Sequence, residues 1–352
     1  MKREIYILFC LIVFLSCQNE TKLGVIQINL ADTKKEIRYS DFVKSIDYDT
    51  LELPEAVPIN GVERLFFDDG KVFIKDSGHE GILVFNEKTG HFIKRIKELG
   101  DGPEEIKEIG AFCLDTYHKQ LLVFDKGDMK IKVFDYWGNY KKTNKAKSFF
   151  LDMVKTEEKG FICFYPIYAF GEQPNGVWLS DSTGVLLKTL QSKVTKDCKF
   201  HYFPMMYNWN DSCAYYYDRN WNELSVITAD TLRILYKFDI KQALPLSVKG
   251  TKGLTYQKLD KYSIVHQFAY SDNYILISFQ TFHKDDMQSK DITWMLFNPK
   301  TGGKSISKKI VNDVIPIKNI QGNSLFYKDN HTWVRVDETL DNAICLEKLY
   351  LY

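Results

Sequence analysis

The stretch that decides the fold begins Val72-Phe73-Ile74-Lys75-Asp76, resumes five residues later with Ile82-Leu83-Val84-Phe85-Asn86 and turns at Thr89-Gly90. The pattern then repeats as Leu122-Val123-Phe124-Asp125, five loop residues, Ile131-Lys132-Val133-Phe134-Asp135 and Trp137-Gly138. Short runs of β-branched and aromatic residues, bounded by Asp, Asn and Gly, are typical of strands joined by tight turns. The repeat therefore predicts two copies of one unit built from paired strands.

The turn at the end of each copy recurs along the chain. It combines an Asx residue, whose side chain bonds its own backbone, with a glycine that supplies a positive φ. The recurrences are Asn86–Gly90, Asp135–Gly138, Asp181–Gly184 and Asn298–Gly302. The first three are almost evenly spaced, and a period of about 40–45 residues with four strands per unit is typical of a β-propeller blade.

Apolar runs divide the chain into five complete blades and an incomplete sixth. The predicted blades span Val62–Ile96, Ile109–Thr143, Phe149–Leu190, Phe203–Phe238 and Ile264–Ile310. The tail supplies three further strands, at Ser324–Tyr327, Thr332–Val336 and Ala343–Tyr350. Because Ile46–Leu53 alternates apolar and polar residues, we expect it to complete the last blade and to remove the exposed sheet edges. The predicted fold class is all-β: a six-bladed β-propeller of four-stranded antiparallel blades, closed by an N-terminal strand.

The first 17 residues are expected to be a processing segment. Lys2 and Arg3 give a positive start, and Ile5–Leu15 is an apolar run too short to span a bilayer. The ending Phe14-Leu15-Ser16-Cys17 resembles a bacterial lipoprotein signal, with Cys17 as the lipid-modified residue. An ordinary signal peptide and an N-terminal anchor are the alternatives. We therefore divide the chain into a lipoprotein signal at 1–17, a tether and lead-in at 18–45, and a single propeller domain at 46–352.

The connection Leu99-Gly100-Asp101-Gly102-Pro103-Glu104-Glu105-Ile106 resembles a segment between early blades of the six-bladed β-propeller lipoproteins of Gram-negative bacteria, relatives of the NHL-repeat propellers. This sequence departs from that family at Glu104, where Gly is usual, and at Ile106, where an aromatic residue is usual. The resemblance implies the propeller fold and a lipid-anchored place in the cell envelope, at the outer membrane. It carries over no catalytic residues.

Charge and motifs argue against several classes of function. The formal net charge is +1 and no block of Lys and Arg stands out, so nucleic acid is not an expected partner. The spacings of Cys and His do not match a zinc site, and no phosphate loop, dinucleotide fingerprint or serine elbow occurs. We expect no metal site, no cofactor and a monomeric protein.

The cysteines of the mature chain offer one candidate disulfide. Cys198 and Cys213 flank the predicted entry to blade four, and an oxidising envelope would permit them to pair. Cys113, Cys163 and Cys345 stand in apolar strands and are most simply buried small hydrophobic residues.

A ligand is expected on the face that gathers the blade-to-blade connections and the loops between second and third strands, which we call the loop-rich face. Long loops on a rigid scaffold commonly carry binding sites. The candidate residues there are His79, Tyr168, Phe170, Arg219, Trp221, Phe282 and His283. Aromatic rings beside Arg and His would suit a peptide, a glycan or a partner protein. The alternative is that these rings cap the apolar ends of their blades.

The leading functional hypothesis is a non-catalytic envelope lipoprotein that binds such a ligand. The alternative is a propeller glycoside hydrolase or lyase with carboxylates or histidines at the channel mouth, where two carboxylates about 5–10 Å apart would be expected. A third hypothesis is a structural component of an outer-membrane assembly, which a large flat apolar patch would favour.

Overall fold

The computed structural model describes residues 24–33, 36–54, 61–76, 81–96, 100, 102, 104–149, 151–155, 160–165, 176–191, 205–210, 213–219, 221–228, 231–249, 256–283, 291–314, 325–338 and 343–352. The first elements are β1 (Gly24–Ile28), β2 (Ile37–Arg38), a 3-10 turn (Tyr39–Asp41) and β3 (Val43–Glu52). Blade one contains β4 (Val62–Asp68), β5 (Lys71–Asp76), β6 (Ile82–Asn86) and β7 (Phe92–Ile96). Blade two contains β8 (Ile109–Asp115), β9 (Gln120–Asp125), β10 (Lys130–Asp135) and β11 (Tyr140–Lys145).

The remaining blades follow in chain order. Blade three contains β12 (Asp152–Lys155), β13 (Phe161–Tyr165), β14 (Gly176–Ser180) and β15 (Leu186–Gln191). Blade four contains β16 (Met205–Asn210), β17 (Cys213–Asp218), β18 (Glu223–Thr228) and β19 (Thr231–Ile240), and is followed by the short helices α1 (Leu246–Lys249) and α2 (Tyr256–Leu259). Blade five contains β20 (Ser263–Tyr270), β21 (Ile275–Thr281), β22 (Asp291–Phe297) and β23 (Lys304–Ser307), and is followed by β24 (Ile310–Val311). Blade six contains β25 (Leu325–Asp329), β26 (Thr332–Glu338) and β27 (Ala343–Leu351).

The strand pairing confirms the predicted six-bladed propeller and its closure. Each blade is an antiparallel sheet whose first strand is innermost, and β3 supplies the fourth strand of blade six beside β27. The pairing runs from Leu351 opposite Val43 to Ala343 opposite Glu52, so the two ends of the chain share one sheet. The predicted closing strand, Ile46–Leu53, lies almost entirely within β3.

The lead-in segment contains pairing that the sequence analysis did not foresee. Within the predicted tether and lead-in at 18–45, β1 adds a fifth, parallel strand to the outer edge of blade four beside β19. Ile26 and Ile28 are buried there, whereas Val25 before them is 52% exposed and Gln27 between them is also exposed. This alternation is that of a strand with one buried face. Further along, β2 pairs in parallel with β24 after blade five.

Asx side chains fix the outer turn of four blades in the way that the sequence predicted. Asn86 Oδ1 accepts hydrogen bonds from the backbone N–H groups of Lys88 (3.0 Å) and Thr89 (2.9 Å). The equivalent oxygens of Asp135, Asp181 and Asn298 accept two backbone N–H groups each. The glycines that follow have φ between 71° and 77°. The side chain thus replaces a backbone acceptor, and glycine takes the left-handed conformation.

The apolar core consists of clusters between successive blades. Among the described residues there are six such clusters, one for each neighbouring pair of blades. In β5, Val72 and Ile74 pack toward blade six, whereas Phe73 packs toward blade two. Because both faces of a middle strand are covered, all three residues are buried completely and the strand is a continuous apolar run.

A network of charged side chains braces the joint between blades six and one. Glu87 Oε1 accepts a hydrogen bond from Lys348 Nζ at 3.0 Å and forms a salt bridge with Lys328. Lys348 also forms a salt bridge with Asp49. Burial raises the pKa of Glu87, but the two ammonium groups outweigh this effect, and the resulting pKa is lowered. The carboxylate therefore stays charged where the ring closes.

Gly90 allows the closest approach at this joint and offers a matched test. Gly90 and Gly302 both have φ of +71°, but an added Cβ at Gly90 would overlap the carbonyl oxygen of Thr50, whereas one at Gly302 meets nothing within 4 Å. We expect Gly302→Ala to destabilise the protein by about 1–2 kcal/mol through backbone strain alone, and Gly90→Ala by about 1–3 kcal/mol more. Urea unfolding of both variants measures the difference. Equal losses would show that the joint tolerates the extra atom.

Candidate functional site

One guanidinium crosses the central channel. Arg64 lies on β4 of blade one, and its Nη2 bonds Oδ1 of Asp152, the first residue of β12 in blade three. The same guanidinium carbon is 5.5 Å from the ring centroid of Tyr207 in blade four and 5.5 Å from that of Phe66. Blades one and four are opposite each other in a six-membered ring. The side chain of Arg64 therefore connects inner strands that the chain itself keeps apart.

Backbone hydrogen bonds fix the carboxylate of Asp152 in addition to its contact with Arg64. Its Oδ1 accepts the backbone N–H of Met153 at 2.9 Å, and its Oδ2 accepts the backbone N–H of Met206 at 3.2 Å. Burial raises the pKa of the Asp152 carboxyl, and the Arg64 guanidinium and the two N–H groups offset part of this rise. For Arg64, burial opposes the charge, but the neighbouring carboxylate outweighs it and the pKa is raised. Burial also raises the pKa of Tyr207.

A cavity of about 230 Å³ lies over this contact, at the end of the channel where blade connections enter. Its lining comes from the first strands of blades one to four and from the ends of two second strands. The lining residues are Glu63, Arg64, Lys75, Gly110, Ala111, Phe112, Leu151, Asp152, Tyr207 and Arg219. At the rim, Lys75 Nζ lies 2.6 Å from Glu63 Oε2. Arg219 Nη2 donates to the carbonyl oxygen of His266 at 3.0 Å.

β-Bulges in the inner strands shape this end of the channel. The pairing of β4 with β5 shifts between Val62 and Arg64, which leaves Glu63 as the extra residue. The same irregularity leaves Gly110 as the extra residue in β8 and His266 in β20. A bulge bends its strand and redirects the extra residue. Glu63 and Gly110 line the cavity, and the carbonyl of His266 accepts the hydrogen bond from Arg219.

Buried carboxylates at the ends of second strands hold the connections beside this site. Asp125 Oδ2 and Oδ1 accept the backbone N–H groups of Lys107 (3.1 Å) and Glu108 (3.2 Å), and Asp125 lies 3.4 Å from the buried Lys132 ammonium. Asp76, the equivalent residue of blade one, accepts the N–H of Gly61 at 3.3 Å. In blades one and two, the repeated Asp therefore anchors the chain that enters the blade.

The structure places the sequence-predicted residues unequally. Arg219 lines the cavity, whereas Trp221, Phe282 and His283 are not among its described lining residues. His283 Nε2 lies 3.2 Å from Asp291 Oδ2. Three of the candidates (His79, Tyr168 and Phe170), the lipid attachment residue Cys17, and Cys198 of the candidate disulfide lie outside the described residues. A bond between Cys198 and Cys213 stays a prediction.

Sequence reasoning missed Arg64, Asp152 and Tyr207. Each stands at the start of an inner strand in a different blade, so no linear spacing connects them. One signal in the sequence could have identified Arg64 and Asp152. Both are charged, whereas the corresponding positions near the start of the other inner strands hold neutral or apolar side chains.

The described part of the chain contains no group of three or more His, Cys, Asp or Glu side chains arranged to hold a metal ion. Within the same residues, no helix has both the length and the apolar character needed to cross a membrane.

Comparisons with known proteins identify a family and support the fold. Residues 23–345 match the family described as a domain of unknown function, DUF4934, so the chain belongs to that family. It is similar to a solved structure from Bacteroides fragilis described as an exported protein, with a TM-score of 0.68, 14% identity, and coverage of 93% of this chain and 99% of that one. A member of the DUF4221 family from Bacteroides vulgatus gives a TM-score of 0.56 at 10% identity, with coverage of 88% and 98%. A search of curated proteins finds no match.

The Arg64–Asp152 pair can be tested by a double-mutant cycle. Arg64→Met leaves the buried carboxylate of Asp152 without its cation, so we expect a loss of about 3–5 kcal/mol in the free energy of unfolding. Arg64→Met/Asp152→Asn should recover most of that loss, because the amide oxygen can still accept a backbone N–H and no unpaired charge remains. Urea unfolding measures each step. Arg38→Ala, which breaks an exposed pair with Glu36, is the control and should change little.

Proposed function

We propose that this DUF4934 protein is a non-catalytic binding protein of the bacterial cell envelope, anchored to a membrane by lipid on Cys17. Its ligand, a glycan or peptide or an exposed part of a partner protein, enters the cavity on the loop-rich face. The observation that carries this proposal is the cavity itself, lined by charged, aromatic and apolar side chains from four blades. A concave site with a few convergent polar groups is the usual form of a ligand pocket.

The location rests on two supports. The N-terminal sequence ends in a lipoprotein-like Phe14-Leu15-Ser16-Cys17, and a structurally similar Bacteroides fragilis protein is described as exported. We propose an outer-membrane position because the sequence resembles Gram-negative propeller lipoproteins. We propose that the propeller acts as a monomer, since all six of its blades come from one chain.

A carbohydrate-cleaving enzyme is the second candidate, and one observation favours it. Glu63 and Asp152 both line the cavity, and burial raises the pKa of Asp152, as it does for many general acids. Other contacts argue against an enzyme. Glu63 is paired with Lys75, and the Asp152 carboxylate accepts hydrogen bonds from the Arg64 guanidinium and from two backbone N–H groups. Carboxylates engaged in this way are poorly placed to move protons or attack a sugar carbon, so binding is the better-supported function.

A ligand screen tests the binding function. The full chain, purified in mild detergent, is heated in the presence of envelope glycans and peptides, and a ligand that binds only the folded state raises Tm. We expect at least one hit that is recovered unchanged after prolonged incubation. A hit that is consumed, with turnover abolished in Asp152→Asn, would establish the enzyme instead.

Membrane fractionation tests the anchor. The full chain expressed in a Gram-negative host should sediment with membranes, because acyl chains on Cys17 give firm attachment. Cys17→Ala should move it to the soluble fraction or leave it unprocessed with its signal. A Cys198→Ala variant is the control, since it removes a cysteine outside the signal. Lipid labelling of Cys17→Ala at the wild-type level would contradict the proposal.

A further inference from the structure

The lead-in segment is fastened to the outside of the propeller from its first described residues onward. From Gly24 to Ile28, β1 pairs in parallel with β19 over five positions. Ile26 and Ile28 are buried in the core cluster between blades four and five. Among the described strands, no other blade carries a fifth strand. We therefore call β1 the clamp, because it ties the lead-in to one particular blade.

Hydrogen bonds secure the residues that follow the clamp. The backbone N–H of Lys241 donates to the carbonyl oxygen of Ile28 at 2.9 Å. The N–H of Leu30 donates to Gln242 Oε1 at 2.9 Å, and Gln242 Nε2 donates to Asn29 Oδ1 at 2.7 Å. Further along, β2 pairs with β24 after blade five, and β3 pairs with β27 in blade six. The lead-in is thus attached at three successive blades, and the tether is the part of the chain before residue 24.

The chain between the proposed lipid and the clamp is short. Seven Cα–Cα steps separate Cys17 from Gly24, and a fully extended chain covers at most about 25 Å in seven steps. When Cys17 carries acyl chains, the bilayer surface therefore lies within about 25 Å of Gly24. Without the clamp, a free lead-in as far as Ile37 of β2 would have twenty steps and could reach about 70 Å.

The direction of β1 decides which end of the propeller is near the membrane. Because β1 is parallel to β19, Gly24 lies on the side from which β19 starts. β19 starts after its turn with β18, and such turns lie at the end of the blades opposite the loop-rich face, which we call the turn face. Hairpins of neighbouring blades meet there, as where the Asp272 N–H donates to Asn330 Oδ1 at 2.8 Å. The N-terminal end of β1 is therefore directed toward the turn face, whereas the cavity lies at the other end of the channel.

We propose that the anchored propeller holds the turn end of blade four at the membrane surface, so that the loop-rich face and its cavity open away from the bilayer. This inference rests on the proposed lipid anchor and adds the surface that meets the lipid headgroups. The cavity is then open to the aqueous phase. A ligand as large as a glycan chain or a partner protein can reach it without passing between the propeller and the membrane.

The test measures energy transfer from a dye on the protein to acceptor lipids in vesicles of phosphatidylethanolamine and phosphatidylglycerol. The lipidated full chain carries the dye at Arg233→Cys, near the start of β19, or at Glu104→Cys, in the connection that enters blade two at the loop-rich face; both side chains are exposed. We expect several-fold stronger transfer from position 233, because transfer falls steeply with distance. The wild-type chain, treated with the same dye, gives the background from its own cysteines.

Two further variants separate the clamp from the anchor. Ile26→Ala/Ile28→Ala weakens the clamp, so the transfer from the two dye positions should become similar. An insertion of about ten Gly and Ser residues after Glu20, with an end-to-end distance of about 17 Å, should lower transfer from position 233 while β1 stays intact. It provides the test if the double variant does not fold. Val25→Ala, which shortens an exposed side chain of the same strand, is the control and should leave the difference unchanged.

The outcomes distinguish the orientation from the anchor. Equal transfer from positions 233 and 104 in the vesicle-bound chain would overturn the inference, as would stronger transfer from position 104. Either result would leave the lipid on Cys17 in place. A chain that does not bind the vesicles would contradict the anchor, and the inference would fail with it. The ligand screen tests the binding function independently of both.

Discussion

The architecture depends on burying both faces of every blade at once. A four-stranded sheet such as blade one cannot do this alone, because Val72 and Ile74 need blade six while Phe73 needs blade two. Each fully buried aliphatic or aromatic side chain contributes about 1.5–3 kcal/mol relative to exposure. An open array of blades would leave one face of each terminal blade in water. Ring closure by β3 removes both of those exposed faces, so the last strand pairing supports all six interfaces.

Closure also creates the place where chemistry can occur. Six inner strands converge on one axis, and their side chains meet partners from blades far apart in the sequence. Arg64 from blade one reaches Asp152 of blade three and Tyr207 of blade four, and all three residues line the cavity. Of the bulge residues, Glu63 and Gly110 lie in the lining of the mouth, and the carbonyl oxygen of His266 accepts the hydrogen bond from Arg219. The scaffold is repetitive, but the site is not, because each blade contributes a different side chain at nearly the same position.

Local sequence patterns predicted the propeller scaffold well but the cavity residues poorly. The Asx–Gly turns at Asn86 and Asp135 were predictable because their hydrogen bonds join residues within four positions of one another. The closing strand was predictable because three tail strands needed a fourth. By contrast, the sequence places β1 in the predicted tether. Only five residues of this strand pair with the outer edge of blade four, so its alternation of apolar and polar residues is too short to predict a strand. Of the predicted ligand-face residues, Arg219 lies at the cavity, whereas Trp221 and His283 do not line its described part.

The sequence by itself determined the blade unit, the number of blades and the closure. These depend on strand propensity, turn chemistry and hydrophobic periodicity, which act between residues near in the chain or repeat at a fixed interval. Only the tertiary structure decided which charges meet in the channel, where the cavity lies, and that Glu87, Lys328 and Lys348 brace the closed joint. Such contacts join residues separated by one to five blades, and their distances follow from the twist and stagger of whole sheets.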